Sequence, residues 1–274
     1  MTKEQDGLQF EYSPEHRAYL QMLRRKDRFV TAMRYLLLVA FIFFWELAAR
    51  LGWIDPFIGS SPSRLFATIL RLYEAGELWL HIGVTLAETV VGFLLGTLLG
   101  TFIAILLWWS ATLSRIFDPY LVVLNALPKI ALGPILIVWF GAGMKSIIVM
   151  GLLISLVVTI MTVLAGFNAI TDEKQLLMRT LGASKLQILT MAVLPASVPT
   201  IMSALKISVG MSWVGVIVGE YLVSKAGLGY LIVYGGQVFN LDLVMASIMI
   251  LCVLAALMYY AVAYLERRIG QRMV

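Results

Sequence analysis

Residues 171–195, TDEKQLLMRTLGASKLQILTMAVLP, form the one sizeable polar insert between the long apolar runs of the C-terminal half. Thr171 is placed to cap a helix whose first turn carries Asp172 and Glu173, where the helix dipole favours negative charge. That helix runs to Leu181 and meets Gly182, a residue suited to a left-handed C-terminal stop. Ser184 opens a second helix, Gln187 three residues on completes a capping box, and Pro195 closes the unit. A chain that needed only to reverse direction would use a few residues here. Two short capped helices bent about a glycine predict a part that fits another protein.

The apolar runs on either side set the class. Hydrophobic residues make up 61% of the 274 and charged residues 14%. Mean hydropathy is +0.90, which a soluble domain of this length does not reach. Six spans follow, each near the length that crosses ~30 Å of hydrocarbon. They cover residues 35–49, 82–109, 120–144, 146–170, 196–218 and 243–264. The first holds Glu46, the second Glu88 and the fifth Lys206, while Pro128, Lys129 and Pro134 interrupt the third. The expected fold is all-α, a polytopic membrane protein of about six transmembrane helices. The single cysteine, Cys252, sits in an apolar run, so disulfides and thiolate metal sites are excluded. The first thirty residues are polar and charged and lack the early apolar core of a cleavable signal peptide.

Loop charge sets an orientation. With the N-terminus inside, fourteen of the 21 basic residues fall on the cytoplasmic side, among them Arg24, Arg25, Lys26, Lys174, Arg179, Lys185, Arg267, Arg268 and Arg272. Arg50, Arg64, Arg71, Lys145 and Lys225 fall opposite, and Lys129 and Lys206 lie within spans. This asymmetry predicts cytoplasmic termini and puts the bent insert on the cytoplasmic face. The formal charge of +5 is then a matter of lipid topology, and nucleic acid is excluded as the main partner.

The expected organisation is a cytoplasmic basic segment (1–34), a transmembrane region (35–268) containing the cytoplasmic loop 171–195, and a tail (269–274). Residues 14–29 admit two readings, a helix on the inner membrane surface or a solvated basic tail. Residues 64–75 carry Leu65, Ile69 and Leu72 on one face and end at Gly76, which predicts a helix in the outer interface. Residues 221–240, with Gly227, Gly229, Gly235 and Gly236, are expected to be a loop folded back into the outer mouth.

The insert resembles the cytoplasmic EAA loop of the membrane subunits of ABC importers. Gly182 holds the glycine place, Leu181 to Ser184 reproduce the Leu-Gly-Ala-Ser core, and Val193-Leu194-Pro195 match the ending. Leu176, Leu177 and Met178 stand where that loop has Glu-Ala-Ala, so the glutamate and its charged contact are missing. LNALPKIALGPILIVWFGAG (124–143) and ALKISVGMSWVGVIVGEYLVSKAGLGYLI (204–232) are similar to segments of permeases in nitrate, taurine, alkanesulfonate and thiamine-precursor importers. The resemblance extends from Tyr35 to Arg268.

It implies a type I ABC importer permease in a bacterial inner membrane. The implied partners are a second copy of the chain, two cytoplasmic ATPase subunits, an extracytoplasmic solute-binding protein and the bilayer. No cofactor is expected in this chain, ATP and Mg belonging to the ATPase. Leu177, Leu181, Gly182, Ala183, Ser184, Leu186 and Pro195 are the implied ATPase-coupling residues. Leu177, Leu181, Leu186 and Leu189 supply apolar anchors of the kind that helix-in-groove recognition uses.

ATP hydrolysis is not expected in this chain. GAGMKS (141–146) comes nearest to a phosphate loop, but Met144 stands where a glycine must precede the lysine. Nothing pairs His16 or His81 into a metal or catalytic site, and no nucleophile–base or metal constellation is seen for an enzyme. A competing class is an ATP-independent secondary transporter or channel, which often shows inverted repeats or intramembrane acidic relays. Neither is visible.

Candidate pathway residues are Asn125, Lys129, Trp213 and Glu220. Lys129 stands beside a proline break, where irregular backbone is tolerated in lining a cavity. Facing the solute and a structural or snorkelling role are both open for it. Glu220 has a gate or subunit contact and a solvated helix end as its readings, and Trp139 and Trp213 suit packing. Lys206 is expected to snorkel or to bond a carbonyl, and Glu88 to make a hydrogen bond between helices.

Overall fold

The computed structural model describes residues 14–170 and 172–270, and every regular element among them is helical. The segment before Pro14, the Thr171 cap and the tail after Gly270 lie outside the described residues. The described residues form two compact units that divide between Arg64 and Leu65.

In the first unit, α1 (Pro14–Arg50) runs unbroken past residue 34, and its stretch Arg25–Arg50 is long and apolar enough to span a bilayer. Glu46 does not weaken that span as an isolated charge. Its Oε1 accepts from Arg50 Nε at 2.7 Å and from Ser63 Oγ at 3.0 Å, and its Oε2 accepts from the Ser63 backbone N–H at 3.1 Å. The short helix α2 (Pro56–Gly59) is capped by Asp55, whose side chain accepts from the Phe57 N–H. Helix α3 (Pro62–Glu74) passes into the second unit, where it buries Leu65, Thr68 and Leu72 on one side, in keeping with the amphipathic run read from the sequence.

The second unit is built on α4 (Leu78–Trp109), the broken pair α5 (Ala111–Ala126) and α6 (Gly133–Phe140), then α7 (Met144–Asn168). Two short helices follow, α8 (Asp172–Thr180) and α9 (Lys185–Ile188), and then three more, α10 (Leu194–Val223), α11 (Leu228–Gln237) and α12 (Leu241–Gly270). With the bent pair taken as one crossing, the described helices provide up to six spans.

The core of this unit is α4–α7–α10. Lipid tails are as apolar as leucine, so helices in a membrane associate through close packing and hydrogen bonds rather than through the hydrophobic effect. Small residues permit that closeness. Gly92, Gly96 and Gly100 on α4 face the backbone and small side chains of Gly151, Ser155 and Thr159 on α7, in parallel register. Helix α10 runs antiparallel to α7, and a Cβ on Gly215 would lie 2.5 Å from the Gly151 Cα. Two polar contacts fix this seam: Thr159 Oγ1 and Ser208 Oγ lie 2.7 Å apart, and Ser197 Oγ donates to the Gly166 carbonyl at 3.0 Å. Helix α12 covers the other side of α10, where Val209 and Trp213 meet Val262.

Two sequence expectations are corrected. Residues 221–240 are not a folded-back loop: α10 continues to Val223, and after a short turn α11 forms a helix packed against α12, α10 and α4. Pro195 does not close the 171–195 unit. It stands in the first turn of α10, and the helix from Lys185 to Val223 is continuous through a π-type turn at Leu189–Val193. The Leu194 N–H reaches back five residues to the Leu189 carbonyl. A proline lacks an N–H and crowds the carbonyl four residues earlier, and a wide turn just ahead of it absorbs both defects without ending the helix.

Candidate functional site

The bent insert is built as its residues dictate. Helix α8 ends in a Schellman motif: the Ala183 N–H donates to the Met178 carbonyl at 2.9 Å and the Gly182 N–H to the Arg179 carbonyl at 3.0 Å. Gly182 has φ +84°, the left-handed conformation that costs a Cβ-bearing residue most. Ser184 then closes a capping box on α9. Its Oγ accepts from the Gln187 N–H, and its own N–H donates to Gln187 Oε1 at 2.7 Å.

The inward side of this unit is anchored. Ile188, Leu189 and Val193 are buried with Ala104, Val163 and Phe167, and Met178 and Ala183 pack against that cluster. Leu189 is therefore a core residue at 5% exposure, which corrects its assignment as an outward anchor. It stands beside Ile188 on the side of the helix that faces the bundle. The outward side carries Leu177 at 61%, Leu181 at 79% and Leu186 at 57% exposure, joined by Leu176 at 60%. Leu176 occupies one of the places where the resembled loop has polar or small residues. Of the expected coupling residues, Leu177, Leu181 and Leu186 lie on the exposed surface and Gly182 and Ser184 form the bend. Ala183 ties the bend to the bundle, and Pro195 belongs to α10.

The break in the third span is sharp. Helix α5 and the 3₁₀ turn Lys129–Leu132 with α6 meet at 87°, because neither Pro128 nor Pro134 can donate into a continuous helix. Lys129 is half-buried at this corner, and its Nζ donates to the Asn125 carbonyl at 3.2 Å. The structure thus brings Asn125 and Lys129 together. Among the described residues Lys129 has no carboxylate partner. GAGMKS forms the turn from α6 into α7, with Ser146 Oγ donating to the Gly143 carbonyl.

Trp213 and Glu220 are placed elsewhere. Trp213 is buried among Phe93, Val209 and Val262. Glu220 is 1% exposed, so it is neither a solvated helix end nor a group on an open surface. Its Oε2 accepts the N–H groups of Gly229 at 2.6 Å and Tyr230 at 3.3 Å. His81 Nδ1 accepts from the Gly227 N–H at 2.9 Å, and Thr85 Oγ1 from the Leu228 N–H at 2.7 Å. Side chains of α4 and α10 thus satisfy four successive amides at the start of α11, which a helix cannot satisfy from within. Gly227, at φ +116°, and Gly229 leave the space that the Glu220 carboxylate fills.

Glu88, also 1% exposed, neighbours Glu220 rather than standing alone. Lys206 neither snorkels nor bonds a carbonyl. Its Nζ lies 2.8 and 3.0 Å from the carboxylate oxygens of Glu266 on α12. Sequence reasoning passed over Glu266 because it lies sixty positions away, in a C-terminal region read as basic.

With this geometry in view, the family can be assigned. The model of the binding-protein-dependent transport system inner membrane component matches residues 96–271. The chain belongs to that family. Among curated relatives, this inner membrane component is 35% identical over 228 residues to a probable ABC transporter permease protein of Haemophilus influenzae, covering 82% of this chain and 91% of that one. It is 33% identical over 241 residues to a putative aliphatic sulfonates transport permease protein of Bacillus subtilis, covering 86% of each. It is 26% identical over 230 residues to the taurine transport system permease protein of Escherichia coli, covering 82% and 84%.

Solved structures agree in fold. The MetNI methionine ABC transporter in an inward-facing form aligns with TM-score 0.62 at 21% identity, over 70% of this chain and 97% of that one. A bacterial ABC transporter for alginate import aligns with TM-score 0.63 at 15% identity, over 91% and 99%. The inner membrane component is therefore the multi-pass permease subunit of an ABC importer and not an enzyme. In these systems the ATPase is a separate subunit, and the ATP-independent carrier reading falls away.

Proposed function

We propose that this permease acts as a homodimer with two ATPase subunits and an external binding protein, and that the insert 171–195 couples ATP turnover to the spans. ATP and Mg are bound by the ATPase, and both termini and the insert face the cytoplasm. The observation that carries this reading is the outward set Leu177, Leu181 and Leu186 on a bend rigidified by a left-handed glycine and two capping motifs. Exposed leucines on a short rigid helix pair suit a hydrophobic groove. Through the buried side of the same unit, Ile188, Leu189 and Val193 join that surface to α10 by one continuous helix. A push on the bend would thus move the long span directly.

The solute is a small polar or anionic molecule of the sulfonate and taurine, nitrate or pyrimidine-like kind. Support comes from the relatives' transport names and from Lys129, half-buried at the span break without a carboxylate partner among the described residues. Lys206 adds nothing to this argument, since Glu266 neutralises it.

The test is Gly182→Val. Forcing a β-branched residue to φ +84° distorts the bend without touching the spans. The expected outcome is an inserted subunit that either fails to copurify with its ATPase or shows ATP hydrolysis uncoupled from solute uptake. Normal copurification with normal solute-stimulated hydrolysis would remove the docking role.

A further inference from the structure

Beside the exposed leucines, α8 and α9 border a cavity of about 330 Å³ against the ends of α4, α5 and α7. Its polar lining is Ser114 and Arg115 from α5, Asn168 from α7, Gln175 and Arg179 from α8, and Lys185 from α9. Among the described residues no carboxylate lines it. Lys185 is already held, its Nζ donating to the Trp109 carbonyl and lying 5.9 and 5.6 Å from the Trp108 and Trp109 ring centres. Among the described residues Arg115 and Arg179 make no side-chain hydrogen bond or ion pair. Two guanidiniums without a side-chain partner among the described residues and one positioned ammonium thus converge from three helices on one hollow.

The chemistry of that hollow is specific enough to name a ligand. Guanidinium groups present forked donors that match the oxygens of a phosphate, and a nearby ammonium adds a point charge. The height of the cavity names the source. It opens where α4, a long apolar span, ends in Trp108 and Trp109, and paired tryptophans at a span end mark the headgroup level of a bilayer. Basic pockets between span ends on one leaflet are where anionic headgroups bind.

We propose that this cavity binds the phosphate of an anionic phospholipid from the leaflet on the insert's side, clamping the α8–α9 bend to the α4–α5 corner. The lipid phosphate bridges Arg115, which belongs to the bundle, and Arg179, which belongs to the insert. Its acyl chains run along the apolar ends of α4 and α5, where Leu106 and Ile116 are exposed. The inference rests on the basic residues of this hollow and not on the leucines proposed to meet the ATPase.

The experiment is native mass spectrometry of the full chain in non-ionic detergent, titrated separately with dioleoyl-phosphatidylglycerol, dioleoyl-phosphatidylcholine and inorganic phosphate. Phosphatidylglycerol is expected to bind preferentially, and Arg115→Gln with Arg179→Gln to weaken it about tenfold or more, since each basic group near an anionic lipid is worth about a factor of five. The paired lysine variants, Arg115→Lys with Arg179→Lys, keep the charge and retain most of the binding. Arg267→Gln with Arg268→Gln, at the same end of the bundle, leaves it unchanged. Equal weakening by both glutamine pairs would reduce the effect to bulk charge and overturn the site. So would inorganic phosphate competing as well as the lipid, which would assign the hollow to a soluble anion. Undiminished lipid binding in the Arg115→Gln, Arg179→Gln variant would overturn it too.

Discussion

The Oε2 atom of Glu220 accepts the backbone N–H of Gly229 at 2.6 Å, so the end of α10 caps the start of α11 from inside the protein. With His81 and Thr85 the cap is complete for four amides in a row. Replacing Glu220 by alanine strands the buried Gly229 N–H, a loss costing about 1–3 kcal/mol, and removes the longer, part-buried bond from Tyr230. We expect Glu220→Ala to lower thermal stability in detergent by several degrees and Glu220→Gln, which keeps a carbonyl acceptor, to lower it less. Identical melting of the alanine variant and the wild type would contradict the capping role.

Close approach of α7 and α10 rests on Gly151 and Gly215 lying backbone to backbone. A methyl group at position 215 has no room, whereas one at Gly83 meets nothing within 4 Å. Gly215→Ala is expected to cost about 1–3 kcal/mol through overpacking, and Gly83→Ala to be near neutral. Unfolding midpoints of the two variants check this, and equal midpoints would contradict it.

Lys206 and Glu266 form a cross-helix ion pair whose side chains are about a quarter to a third exposed. Solvent at that position moderates its worth. We expect a double-mutant cycle with Lys206→Met and Glu266→Gln to give a small but measurable favourable coupling, as contacting residues do. Additive single effects would show that the pair contributes no stability.

Lys129 offers the test of cargo charge. Lys129→Met preserves the length of the side chain and removes its charge, so the helix break should persist. The expected result is a raised KM for an anionic solute, with unchanged melting of the subunit. Uptake at the wild-type rate with unchanged selectivity would make Lys129 structural.

How much of this was legible depended on how local each feature's cause is. The bend was readable because its determinants, Gly182, Ser184 and Gln187, lie within six residues of one another. The spans were readable from hydropathy, and the third span's irregularity from Pro128 and Pro134, although nothing local dictates an 87° turn. Helix α11 was read as a loop because its glycines suit a loop, and what stabilises it as a helix is supplied by His81, Thr85 and Glu220 from other elements. The partner of Lys206 was hidden in the same way. Leu189 was misassigned because two leucines three apart look alike in a sequence, while only the packing against Phe167 and Val193 shows which one is inward. The glycine spacing 92–96–100 was a usable signal for the α4–α7 seam.

On the proposed function, the outward leucines of the bend meet the ATPase while the inward residues hold the bundle. Photo-crosslinking from a benzophenone amino acid at position 181, compared with one at position 189 in the assembled importer in membranes, tests it most directly. Leu181 is 79% exposed and Leu189 5%. The prediction is a strong adduct between position 181 and the ATPase and, from position 189, only links within the permease. An assembled, ATP-hydrolysing complex in which position 181 forms no adduct with the ATPase would contradict the claim.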